Sequence, residues 1–98
     1  MIKSIRHKGL RLLYEKDDAK GVNPEHVRRL KLILQALENT GKPDDLAGIA
    51  TLRLHLLEPK AQGRWAVTVR ANWRVTFEFD QGDVILVDYE DYHEEVET

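Results

Sequence analysis

An imidazole and a cluster of cations in the second half of this chain match what breaking a phosphodiester bond in RNA without help from a metal requires. His55 can move protons and Arg74 can stabilise negative charge. Such a cleavage needs an acceptor for the 2′-hydroxyl proton, positive charge at the phosphorane and a donor for the departing 5′-oxygen. Histidine suits either proton-transfer role because its ordinary pKa, about 6.5, lies close to cellular pH. Arg53, Thr68 and Arg70 are spaced so that strand alternation would put them on the face of His55 and Arg74. Taken singly, exposed Arg and His on strands are more often solvated surface groups, so it is the combination that points to this chemistry.

Other chemistries find less support. The chain has no cysteine, which excludes a thiolate zinc site, a disulfide framework and a cysteine nucleophile. No histidine pair has i, i+4 spacing and no HxH occurs; Asp91 and His93 leave a two-ligand metal site as the sole metal alternative. There is no glycine-rich phosphate loop and no GxSxG. The expectation is therefore a site with neither metal nor cofactor. His7 and His26 stand at helix starts, as structural or exposed residues. Tyr89 reads as a core aromatic, and Tyr92 as either a core aromatic or a ring that stacks on a base.

The elements that must carry these residues follow from hydrophobic periodicity. Met1–Arg6 suggests a short first strand. Leu10, Leu13, Tyr14 and Asp17 have helical spacing, with Leu12 widening the stripe, and Asp18 to Gly21 ends the helix. Asn23 and Pro24 form a cap and first-turn pair for a second helix. Val27, Leu30, Ile33, Leu34 and Leu37 are its inner stripe, and Arg28, Arg29, Lys31 and Gln35 its outside. Asn39-Thr40-Gly41 stops it, and Pro43 to Leu46 gives one further turn.

From Thr51 the period becomes two, with Leu52, Leu54 and Leu56 on one side and Arg53 and His55 on the other. A loop over 58–63 leads to a strand with Trp65, Val67 and Val69 inward. Ala71-Asn72 is a tight turn in which Asn supplies a positive φ. Trp73, Val75, Phe77 and Phe79 continue the inner face, a loop at Asp80 to Asp83 follows, and Val84 begins the last strand. Helices followed by consecutive strands predict an α+β domain, its N-terminal helices on one face of a small antiparallel sheet.

The charge balance sharpens the picture. The net charge is −2, but Glu94, Glu95 and Glu97 form an acidic tail over 94–98, without which 15 basic residues face 14 acids. All the basic residues lie at or before Arg74, while Val75 to Thr98 carries nine acids. The distribution is compatible with a local basic patch on a weakly acidic protein, although ordinary solvated charge is the commoner reading of such a composition. The N-terminal segment MIKSIRHKG lacks the apolar core of a signal peptide and no run approaches membrane-spanning length, so a cytoplasmic protein with no membrane partner is expected.

IKSIRHKGL, VRANWRVTF and YEDYH, in that order and at compatible spacing, resemble the HigB toxins of the RelE/ParE superfamily over residues 1–93. The resemblance implies a toxin of a type II toxin–antitoxin system, a ribosome-dependent endoribonuclease that enters the ribosomal A site and cuts messenger RNA there. It implies a HigA-like helix-turn-helix antitoxin, with the toxin monomeric when free and in a hetero-oligomer when neutralised. It maps the active site onto His55, Arg74, Asp91, Tyr92 and His93. Arg74 would clamp the phosphorane, while His55, Asp91 and His93 would share proton transfer in an order left open. Asn72 would contact an adenine, and Arg53, Lys60 and Arg70 would join it in holding RNA. One departure stands out: Glu58 occupies the place of the family lysine in the strand motif, with Lys60 two residues on. A carboxylate there opposes a dianionic transition state, so the alternative is a catalytically weak or inactive protein of this fold that captures an antitoxin or another protein target.

Overall fold

In a computed structural model the chain is described over residues 1–57 and 63–91. Glu58, Lys60, Tyr92, His93 and the acidic tail lie outside the described residues. Three helices, α1 (Lys8–Lys16), α2 (Val27–Glu38) and α3 (Pro43–Ala47), precede four strands: β1 (His55–Leu56), β2 (Trp65–Arg70), β3 (Trp73–Asp80) and β4 (Asp83–Asp91). The strands form one antiparallel sheet in sequence order. The expected α+β architecture is what folds.

Local chemistry sets the helix ends. The His7 Nδ1 accepts the Leu10 N–H at 3.0 Å, capping α1. Asp17 closes it in the left-handed region at φ 55°, with the Asp18 N–H returning to the Leu12 carbonyl. Asn23 caps the turn Pro24–His26 through the Glu25 N–H, and α2 follows directly. Leu30, Ile33, Leu34 and Leu37 are buried along α2, in one cluster with Leu10 and Leu13 of α1 and Val67, Val75, Phe77, Val84 and Val87 of the sheet. Each such side chain taken from water contributes roughly 1.5–3 kcal/mol. Gly9 and Gly21 let α1 and the loop before α2 meet backbone to backbone; a Cβ on Gly9 would lie 2.2 Å from the Gly21 carbonyl oxygen.

Four expectations are corrected. The first six residues form no strand; Ile2 and Ile5 make single parallel bridges to Val84 and Val87. Spacing of three, not two, brings both isoleucines inward. The alternating run from Thr51 also fails to become one strand. Ala50–Leu52 is a 3-10 turn, and Arg53 turns into the left-handed region at φ 52°, which breaks the alternation. Leu52 is buried while Leu56 is 54% exposed. In the β2–β3 turn the positive φ falls on Ala71, not Asn72.

The fourth correction concerns Arg70. The register pairs Thr68 with Arg74 but Arg70 with Trp73, shifting between Thr68 and Arg70. A bulge of this kind slips the following residue to the other face. Arg70 therefore has the parity of Trp73, on the helix side, and does not share the face of Arg74. A second shift, between Thr76 and Glu78, coincides with Leu86 at φ 53° on β4.

The β4 edge of the sheet is covered, and so is much of β2 beside the short edge strand β1. The first residues protect β4, where Lys3 N–H donates to Val84 O at 2.8 Å and Arg6 N–H to Val87 O at 2.7 Å. On the other side β1 covers Trp65 and Ala66 of β2. Beyond it Arg29 of α2 takes over, donating to the Thr68 carbonyl at 2.9 and 3.2 Å and also to the Thr51 carbonyl. An edge acceptor occupied in this way is closed to pairing with another strand.

Candidate active site

The sheet face turned away from the helices carries His55 on β1, Thr68 on β2, Arg74, Thr76 and Glu78 on β3, and Asp88 and Glu90 on β4. Across it His55 is opposite Ala66, Ala66 opposite Thr76, and Thr76 opposite Asp88; Arg74 lies between Thr68 and Glu90. His55 and Arg74 thus share this face with β2 between their strands, two strand intervals apart and offset by two residues along the strands, a separation of roughly 12 Å. A phosphodiester bridged by two side chains fits that span.

The two are held differently. Arg74 is half-buried on a strand paired on both sides. His55 is exposed, and its Nδ1 lies 2.9 Å from the Arg53 carbonyl oxygen. A carbonyl only accepts, so Nδ1 carries a proton and Nε2 is left for chemistry. Neutral imidazole then accepts a proton at Nε2, and imidazolium donates one from it. The left-handed turn at Arg53 aims its carbonyl at its own neighbour's ring, which is what the broken alternation accomplishes locally.

Arg64 was missed in the sequence, although its i, i+2 relation to Ala66 and Thr68 gives it the parity of this face. Its side chain, 12% exposed, reaches over three strands. It donates to Thr76 Oγ1 at 2.5 Å, to the Leu86 carbonyl at 3.0 Å and to Glu78 at 3.4 Å. Thr76 in turn donates to Glu90 at 3.1 Å. This network fills the β3–β4 side of the face and leaves Thr76 fully buried there.

Among the other named residues, Arg53 is exposed in the turn before β1, and Asn72 is exposed in the β2–β3 turn, two residues from Arg74. Arg70 is exposed on the helix side of the same hairpin. Asp91 is exposed at the end of β4, opposite Trp73, with the parity of Tyr89 rather than of Arg74. His7 and His26 are structural. His26 is buried with Nδ1 2.7 Å from the Tyr89 hydroxyl, and both histidine rings pack edge-on against Tyr89. Burial pushes the Tyr89 phenol up from its ordinary pKa. Among the described residues no group of three or more His, Asp or Glu is placed to hold a metal ion.

A two-layer fold of helices on an antiparallel sheet, with Arg and His on the bare face, is the architecture expected of a RelE-like toxin. The family model described as the RelE-like toxin of type II toxin-antitoxin system HigB matches residues 3–93. The chain is 45% identical over 93 residues to Endoribonuclease HigB of Proteus vulgaris, covering 95% of this chain and 100% of that protein. The chain belongs to the HigB-like toxin family.

Proposed function

We propose that this chain is the toxin of a type II toxin–antitoxin pair and acts as an endoribonuclease on messenger RNA in the ribosomal A site. The observation that carries the reading is the family match, which runs the length of the domain and includes the strands bearing His55 and Arg74. Residues 1–93 form the toxin domain and 94–98 an acidic tail; the working compartment is the cytoplasm, and the antitoxin is a HigA-like helix-turn-helix protein. No helix among the described residues is long and apolar enough to cross a membrane.

In the scheme, the scissile phosphate sits over β2 between His55 and Arg74. Arg74 offsets the charge gained as the phosphorane forms. His55 exchanges a proton through Nε2 while its Nδ1–H stays on the Arg53 carbonyl. Asp91, Tyr92 and His93 supply the second proton-transfer group, and Asn72 meets the base beside the cut. Arg53, Lys60 and Arg70 hold flanking phosphates. The scheme uses no metal or other cofactor, and its products are a 2′,3′-cyclic phosphate, or its hydrolysed form, and a free 5′-hydroxyl.

The test is cleavage by purified protein of a messenger on translating ribosomes and as naked RNA, with end-group analysis. Expected are cuts on ribosomes only, with cyclic-phosphate ends. Equal cleavage of naked RNA removes the ribosome from the scheme. Ends that carry a 5′-phosphate remove the 2′-hydroxyl mechanism.

A further inference from the structure

The face around Arg74 is electrostatically one-sided. Toward β4 it holds Glu78, Asp88 and Glu90, of which Glu78 is paired, by Arg64. An RNA backbone meets less favourable charge on that side than past β2. In that direction, around the hairpin end at Asn72, lies a groove of about 470 Å³ between α2 and the end of β2, walled by Glu25, Arg28, Arg29, Leu32, Val69 and Arg70. Three arginines oppose one carboxylate there. Arg29 is bonded to two backbone carbonyls, which take up its Nε and Nη2 donors without neutralising its charge. The floor is apolar, with Leu32 49% exposed. Because Arg29 already occupies the Thr68 carbonyl, the β2 edge is closed to an added peptide strand, and the groove's remaining offer is positive charge over an apolar floor.

We propose that this groove is a second RNA-binding surface, in which Arg28 and Arg70 grip the phosphates of the strand flanking the cut while sugars lie over Leu32 and Val69. The inference rests on the endoribonuclease reading for its purpose but not for its test. The bulge that swings Arg70 off the face of Arg74 is what places it in the groove, so the strand would wrap the hairpin end instead of lying flat across the sheet.

The experiment measures binding of a labelled single-stranded RNA across a salt series, on a His55→Ala background that prevents cleavage. Each phosphate neutralised on a single strand contributes about −0.7 to the slope of log K against log salt. Arg28→Ala and Arg70→Ala should each flatten the slope by about 0.7 and weaken low-salt binding several-fold, alike for different base sequences. Arg11→Ala, an exposed change on α1, should leave the slope unaltered. If the protein with His55 intact fails to cut RNA on ribosomes yet these slopes fall as stated, the groove stands and the endoribonuclease reading falls. If the protein with His55 intact cuts while both slopes equal that of the His55→Ala parent, or if that parent binds no RNA at the lowest salt, the groove is overturned. Arg28→Ala that spares RNA binding but releases the antitoxin also overturns it, assigning the surface to a protein.

Discussion

His55 and Arg74 share one face but belong to regions built by opposite means. Arg74 stands on β3, the strand with the most cross-strand pairing, over a core where Val75 and Phe77 are fully buried. His55 stands on a strand of two residues, both exposed, whose approach is fixed by a left-handed residue and by Arg29 holding the Thr51 carbonyl. One half of the site inherits its geometry from hydrophobic packing, and the other from a few polar contacts. Stability and activity should therefore come apart when the two regions are perturbed separately.

The largest effect should come from the packed region. Phe77→Ala empties the core below β3 and should cost about 3–5 kcal/mol, read by urea unfolding. Arg74→Ala, on the same strand, should cost far less stability than Phe77→Ala while lowering single-turnover cleavage by about 100-fold or more, as loss of an oxyanion donor does. A midpoint loss matching that of Phe77→Ala would erase the distinction.

Arg29→Ala addresses the other region. It removes charge-assisted bonds to Thr51 and Thr68 and should cost about 1.5–3 kcal/mol. Hydrogen exchange should rise over residues 50–56 while β3 and β4 keep their protection. Uniform deprotection would show that the two regions unfold as one.

The smallest effect lies far from both, where the Glu38 carboxylate accepts from the Tyr14 hydroxyl at 2.6 Å and the Ile2 N–H at 3.2 Å. These bonds, the Tyr14 one foremost, hold the Glu38 carboxyl below its ordinary value, and the same bond with Glu38 pushes Tyr14 up to about 12. The stability contributed by Glu38 is thus whole above the carboxyl's ordinary value of 4.5 and is lost as pH falls through the depressed folded value. Tyr14→Phe should cost about 1 kcal/mol at neutral pH and flatten the acid limb of a stability–pH curve. An unchanged acid limb would mean that Glu38 is not held this way.

The parts of the fold legible in the sequence are those governed by periodic burial. The stripe of α2, the Asn23 cap, the β3 alternation and the Asp80 to Asp83 turn all follow from local rules. The segment before β1 does not, because Leu52, Leu54 and Leu56 satisfy the strand pattern while a single left-handed residue cancels it. Arg70 was misplaced for the related reason that a bulge leaves no mark on alternation until the partner strand is known. Arg64 and Arg29 were legible as positions but not as partners, since backbone carbonyls attract arginine without any sequence signature. Of the candidate site, the face shared by His55 and Arg74 could be read from parity. The positions of Tyr92 and His93 fall outside the described residues.

The bridges from Ile2 and Ile5 to β4 also bear on the order of assembly. Ser4 bonds Leu86 across 82 positions of the chain, so this edge closes only after nearly the whole domain has been synthesised. Such distant closure carries the largest loop entropy in the molecule and comes after the local helices and hairpins have formed. A ribosome making this protein therefore holds a chain with an uncapped sheet until the last strand emerges. Pulse-labelled hydrogen exchange during refolding would reveal this ordering as late protection at Lys3 and Arg6.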